Sequence, residues 1–274
     1  MLNNKTIGTL AAVSALVAGS ALAGTPAPTT MAPAAPASAV QYSLHTGYTS
    51  EYLWRGQDLG NALIEVGADV ATEWNGIGFS AGAWYGSFNA PVYGINGFMG
   101  NQDSDELDLY AEVSKDWGFV TTSVGYIAYL YPQGSVNNND FALSSKNLAS
   151  LNGSETLQEV TFGLSHDYGF AAVSLNYYWA IEGVNYGYSE LDLSRTIELC
   201  SSFDLNLSTN VGYLVDEGQC SAWTSKLALD YKFAERAKFS PFVAYSVALS
   251  DDQDTAYLGS TNQLVGGAML SVSF

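Results

Sequence analysis

Residues 63–74, LIEVGADVATEW, alternate with a period of two. Ile64, Val66, Ala68, Val70, Thr72 and Trp74 fall on one side, and Glu65, Gly67, Asp69, Ala71 and Glu73 on the other. A strand with one apolar and one wet face reads this way. A helix would scatter the apolar set and place Glu65, Asp69 and Glu73 four residues apart, where like charges repel. Two folds accept such a strand: a sheet packed on a soluble core, and a barrel set in lipid.

The alternation recurs twelve times between turn signals. The first strand covers about 41–55, with Leu44, Thr46, Tyr48, Tyr52 and Trp54 on its apolar face. LIEVGADVATEW is the second, closed by Asn75-Gly76, the strongest short hairpin signal. The third is 77–86, and a Gly- and Asn-rich loop separates it from the fourth, 105–114. The fifth lies near 119–131, and the stretch 132–154 is the longest loop. The sixth presents Val160, Phe162 and Leu164, and the seventh Val173, Leu175, Tyr177, Trp179 and Ile181. The eighth runs to about Leu199, the ninth carries Leu205 to Tyr213, the tenth Trp223 to Phe233, and the eleventh lies near 239–249. The last, QLVGGAMLSVSF, ends at Phe274. The second, fourth, sixth, eighth and tenth connections are tight, whereas the third, fifth and eleventh are long. Outer-membrane barrels follow that rule, with short periplasmic turns and longer outer loops, and an even strand number returns both termini to one side.

The N-terminus predicts export. Residues 1–23 carry one early cation, Lys5, then an apolar run ending in Ala21-Leu22-Ala23, the pattern of a cleaved signal peptide. No Cys follows that cleavage site, which argues against a lipoprotein anchor. Residues 24–40 are rich in Ala, Pro and Thr and read as a flexible leader, leaving 41–274 for the barrel. No stretch offers the roughly 18 uninterrupted apolar residues of a spanning helix.

Composition decides between the two folds. Without the signal, eight Lys/Arg stand against 27 Asp/Glu, a formal charge of −19, so nothing basic is available to neutralise nucleic-acid phosphates. Yet only 13% of residues are charged, alongside 18 Tyr, 12 Phe, 6 Trp and 27 Gly, a balance that suits a lipid-facing barrel with aromatic girdles. A soluble sandwich would bury the carboxylates of the wet faces, at several kcal/mol each when unpaired. The expectation is an all-β, antiparallel transmembrane barrel of about 12 strands in the outer membrane of a Gram-negative-type bacterium, with outer-membrane lipid as its surroundings.

If the apolar faces meet lipid, Glu65, Asp69 and Glu73 face the lumen. The same phase sends Glu106, Asp108, Tyr110, Glu112 and Glu159 inward, then Glu182, Glu190, Asp192, Glu198, Asp204 and Asp230. Few cations answer them: Arg55, Lys226 and Lys232. Fixed negative charge in a narrow channel concentrates cations, so these residues are candidate pore-lining groups for cations or small neutral solutes. Twelve strands also lie between small filled barrels and wide porins. Trp84, Tyr110, Tyr178 and Arg55 are therefore candidates to plug the lumen, giving an occluded structural or adhesive barrel. Arg195 falls in phase with Leu191, Leu193 and Ile197, the lipid side, where it must snorkel or be turned by a bulge.

No catalytic arrangement emerges, and the chain reads as a non-enzyme without a cofactor or metal. His45 and His166 sit on strands about half a barrel apart, too far for a triad or a metal cluster. Asp251-Asp252 is a weak Ca²⁺ candidate. Cys200 and Cys220 flank the ninth strand, roughly 30 Å apart, beyond the reach of a disulfide.

A terminal aromatic, Phe274, preceded by alternating apolar residues, resembles the C-terminal signature read by the barrel-assembly machinery. GYTSEYLWRG at 47–56, DELDLYAEVSKDWG at 105–118 and VGYIAYLYPQG at 124–134 together resemble the TorF-type porin family of bacterial outer membranes. The resemblance covers the first half of the mature domain well, and the second half mainly through strand pattern. It implies a β-barrel that is a porin by architecture, and supplies no solute.

Overall fold

The computed structural model describes residues 40–94, 97–131, 156–182, 187–250 and 262–274. The expected signal peptide and nearly all of the leader, the whole of the long loop 132–154, and Asp251-Asp252 lie outside these residues. Twelve strands follow in chain order: β1 (Gln41–Trp54), β2 (Gln57–Trp74), β3 (Ile77–Gly94), β4 (Gly97–Asp116), β5 (Thr121–Leu130) and β6 (Thr156–Asp167). The second half comprises β7 (Ala172–Glu182), β8 (Tyr188–Cys200), β9 (Phe203–Leu214), β10 (Gln219–Ala234), β11 (Ala237–Ala248) and β12 (Gln263–Ser273). Each pairs antiparallel with its sequence neighbours, and β1 pairs with β12, closing the barrel. Closure gives every strand a neighbour on both sides.

The alternation explains the wall. Ile64, Val66, Leu109, Val113, Val124, Leu164, Leu175 and Leu191 are exposed on the outside, while their neighbours Glu65, Asp108, Ser174 and Asp192 are buried inside. At the end with the tight turns, Trp74, Trp117, Phe119, Tyr168 and Phe170 stand exposed, and Phe203 stacks on Tyr231 with ring centroids 4.9 Å apart. This is the aromatic girdle of a barrel rim. Asn75 (φ 52°) and Gly76 (φ 70°) form the two-residue turn expected between β2 and β3.

Two features depart from the sequence reading. Most of the supposed loop between the third and fourth strands is itself paired, since β3 and β4 run in register from Ile77↔Lys115 to Gly94↔Gly97. Its Gly and Asn content hid an extended hairpin whose ladder needs backbone groups rather than apolar side chains. More consequential is β1, where Tyr52 and Trp54 leave the apolar outer face.

β1 and β12 pair only from Ser43↔Ser273 to Thr49↔Gly267. β2 and β3 pair only up to Asn61↔Asn89, across a register shift, with Ala62 at φ 55°. Between these limits β1 and β2 keep pairing with each other, as far as Trp54↔Gln57. The tip of this hairpin, residues 50–60, thus has no ladder pairing with either flanking strand; side-chain bonds tie it to β12, with Gly266 N donating to Ser50 Oγ (3.0 Å) and Gln263 Nε2 to Asp58 Oδ2 (3.1 Å). It bends into the barrel, where Tyr52 (0% exposed), Leu53 and Gln57 (2% each) are buried.

Candidate functional site

The inward-folded hairpin divides the lumen. On one side Tyr52 and Trp54 join Trp84, Phe88, Ile127, Tyr129, Tyr178 and Tyr188 in a single apolar cluster. On the other, Leu53 packs with Ala228, Phe242, Ala244 and Val265. Three consecutive large residues, Tyr52, Leu53 and Trp54, are buried because both faces of this segment meet protein. A continuous apolar run, rather than alternation, is the sequence signature of a segment buried on both faces, and it was the signal available in YLWRG.

Arg55 and Gly56 make the turn at the tip, with φ of 52° and 83°. The Arg55 guanidinium forms a bidentate pair with Glu159 of β6, Nη1 to Oε1 at 2.8 Å and Nη2 to Oε2 at 2.7 Å. Both side chains are almost wholly buried, at 2% and 0% exposure. Its carbon lies 4.4 Å from the ring centroids of Trp54 and Tyr178 and 4.5 Å from that of Tyr188. Tyr129 Oη also donates to Glu159, at 3.0 Å. A buried pair of this kind needs such additional bonds to offset the desolvation of both ions. Beside the tip, between Leu53, Arg55 and Gly56 and the opposite wall of Asn210, Ala222 and Thr224, remains a cleft with room for about one water molecule.

The expected carboxylates line the inside, but many are held by donors. Trp84 Nε1 donates to Glu65 (2.7 Å), and Ser43 Oγ (2.9 Å) and Tyr110 Oη to Asp69. Gly82 makes room for this, since a Cβ there would stand 2.5 Å from Tyr110 Oη and 2.6 Å from Asp69 Oδ1. Tyr52 Oη donates to Glu106 (2.7 Å), and Tyr188 Oη to Glu190 (2.9 Å). Asn176 Nδ2 (3.3 Å) and Ser174 Oγ (3.2 Å) donate to Asp192. Lys238 donates to Asp230 (2.7 Å), Lys232 pairs with Asp204 (2.8 Å), and Lys226 Nζ lies 4.1 Å from the Phe242 ring centroid. Asp108 is 0% exposed and lies beside Glu106, close enough for the two side chains to hydrogen-bond carboxyl to carboxyl. Glu112 is half-buried, and Glu73 is exposed beside the Asn75-Gly76 turn.

Glu182 departs from the expected row. A register shift in the β6–β7 ladder brings Ala180 opposite Glu159 and Glu182 opposite Gln158. Gln158 Nε2 donates to Glu182 and accepts from Tyr126, a residue of the outer face, so Glu182 lies with the outward set. Arg195 stays outward and exposed, opposite Leu207. His45 Nδ1 lies 3.6 Å from Asp69. Among the described residues, no group of three or more His, Cys, Asp or Glu is arranged to hold a metal ion. Cys200 stands opposite Phe203 at one end of β9 and Cys220 opposite Tyr213 at the other, both as free thiols.

Comparison with solved structures yields the same architecture. An outer membrane channel from Pseudomonas putida F1 superposes with a TM-score of 0.52 at 12% identity, covering 88% of this chain and 97% of that one. The NanC porin (TM-score 0.45, 15% identity, 85% and 98% covered) and the KdgM porin (0.45, 9%, 85% and 99%) are more distant. At 12% identity the likeness to the Pseudomonas putida channel is one of fold alone. No curated protein matches the chain. A family model spanning residues 33–255, rather than one bearing the TorF name, covers most of the barrel, and the chain belongs to that family, Gcw_chp, bacterial proteins of unknown function.

Proposed function

We propose that this protein is a porin-like channel of the outer membrane, with an acidic interior that favours cations or small neutral solutes, closed in the present structure by the β1–β2 hairpin. The observation that carries this reading is the absence of ladder pairing between residues 50–60 and either neighbouring strand. A barrel filled by its own wall residues has no need of a separable element across its lumen. Here the obstruction hangs from a fork between β1 and β12, and the wall closes below it. Hydrogen bonds orient Glu65, Asp69, Glu106, Glu190 and Asp192 along the interior, and the inward cations Arg55, Lys226, Lys232 and Lys238 are fewer than the inward acidic residues. The apolar exterior and aromatic rim support placement in lipid, and a Phe274-terminated last strand supports handling by the barrel-assembly machinery.

A second reading, a permanently occluded barrel with a structural or adhesive role, is favoured by the tight packing of the tip. Ion current across a planar bilayer under a KCl gradient separates the two. The wild-type protein is expected to open rarely. A variant with residues 53–59 replaced by Asn-Gly should conduct steadily with a cation-selective reversal potential, and E65Q/D69N/E73Q in that background should weaken the selectivity. Silence from the folded, shortened variant would discard the channel.

A further inference from the structure

The cage around Arg55 is unusually complete for a wall that merely needs to be blocked. A plug requires volume, which Trp54, Leu53 and Tyr52 supply. What surrounds the guanidinium instead has the chemistry of a receptor. Glu159 offers both oxygens to its two terminal nitrogens in the fork geometry specific to this group. Tyr178 and Tyr188 present rings at 4.4 and 4.5 Å, and Tyr129 fixes the carboxylate from the side. These four residues sit on β5, β6, β7 and β8, and so stay in the wall if the hairpin leaves. Trp54 alone departs with it.

We propose that Glu159, Tyr129, Tyr178 and Tyr188 form a binding site for organic cations bearing a guanidinium group, which Arg55 occupies as a tethered internal ligand. A solute of that class competes with Arg55 for the cage, and by taking its place releases the hairpin. One buried atom shows that Arg55 fits the site incompletely. Its Nε has no hydrogen-bond partner among the described residues, so recognition falls on the terminal nitrogens that any monoalkylguanidinium carries. The transport meaning of the site rests on the channel reading above, whereas its existence as a cation receptor does not.

Chemical rescue tests it. R55A removes the internal ligand, and thermal unfolding of the refolded barrel is followed in millimolar methylguanidinium or in methylurea, its neutral near-isostere. Methylguanidinium should raise the melting temperature of R55A in a saturable manner, methylurea should not, and R55A/E159Q should respond to neither. If R55A does not refold unaided, refolding yield provides the same comparison: recovery in methylguanidinium alone upholds the site. An equal response to both additives, an undiminished response in R55A/E159Q, or no response in R55A would overturn it. Rescue in a barrel whose hairpin-shortened form carries no current would keep the site and discard the pore.

Discussion

Gly56→Ala should open the barrel, and the structure indicates by how much. A Cβ at position 56 would stand 2.3 Å from the Ala222 Cβ on β10, whereas its next neighbours, Ala222 Cα and N, are at ordinary distances of 3.6 and 3.8 Å. The left-handed backbone at Gly56 (φ 83°) adds about 1–2 kcal/mol for any residue with a Cβ. That cost belongs to the turn itself and is shared by the docked and released hairpin, so it does not move the equilibrium between them. The clash exists only when docked, and overpacking of this kind costs about 1–3 kcal/mol, equivalent to roughly 5- to 150-fold in the ratio of released to docked tip. Single-channel recording should show the open probability of G56A raised by such a factor over wild type. Because one methyl–methyl contact carries the effect, A222G in the same chain should bring it back toward the wild-type level. G56A as quiet as wild type, or G56A/A222G as open as G56A, would refute docking of the tip against β10.

Further outcomes follow from the same contacts. Trp84→Phe removes the indole donor from buried Glu65 and should lower unfolding stability by about 1–3 kcal/mol, read from urea melts in lipid. Asn75→Ala gives up the short polar side chain that lets Asn tolerate the left-handed turn and should cost about 0.5–1 kcal/mol, whereas N75G should be neutral or slightly stabilising. Deleting Phe274, which is exposed and adds one backbone bond to Tyr42 (2.9 Å), should leave the refolded barrel about as stable as wild type while lowering the amount assembled in cells, measured as heat-modifiable protein in the outer membrane.

The strands were legible because a wall with lipid on one side and protein on the other imposes a period of two, and Ile64, Val66, Glu65 and Asp69 obey it residue by residue. Asn75-Gly76 was legible because few residue pairs accept two positive φ angles in succession. The inward phase of the carboxylates followed from the same period, and Glu182 escaped it because a single bulge reverses every residue beyond it. The partners of those carboxylates were not legible: Tyr52 and Glu106 lie 54 residues apart, Arg55 and Glu159 lie 104 apart, and neither pairing leaves a local mark.

The amino-acid sequence by itself therefore determined a twelve-stranded antiparallel wall with an apolar outside, a charged inside and tight turns at one rim. Local periodicity and turn chemistry are sufficient for that. Only the tertiary structure decided what the wall encloses. Residues 52–55 read as the end of the first wall strand and 56–59 as part of its connection to the second, yet this segment is buried on both faces by contacts with β3 and β5–β8 on one side and β10–β12 on the other. Closing the ring brings those distant strands around one point, and Arg55 meets its counter-charge there.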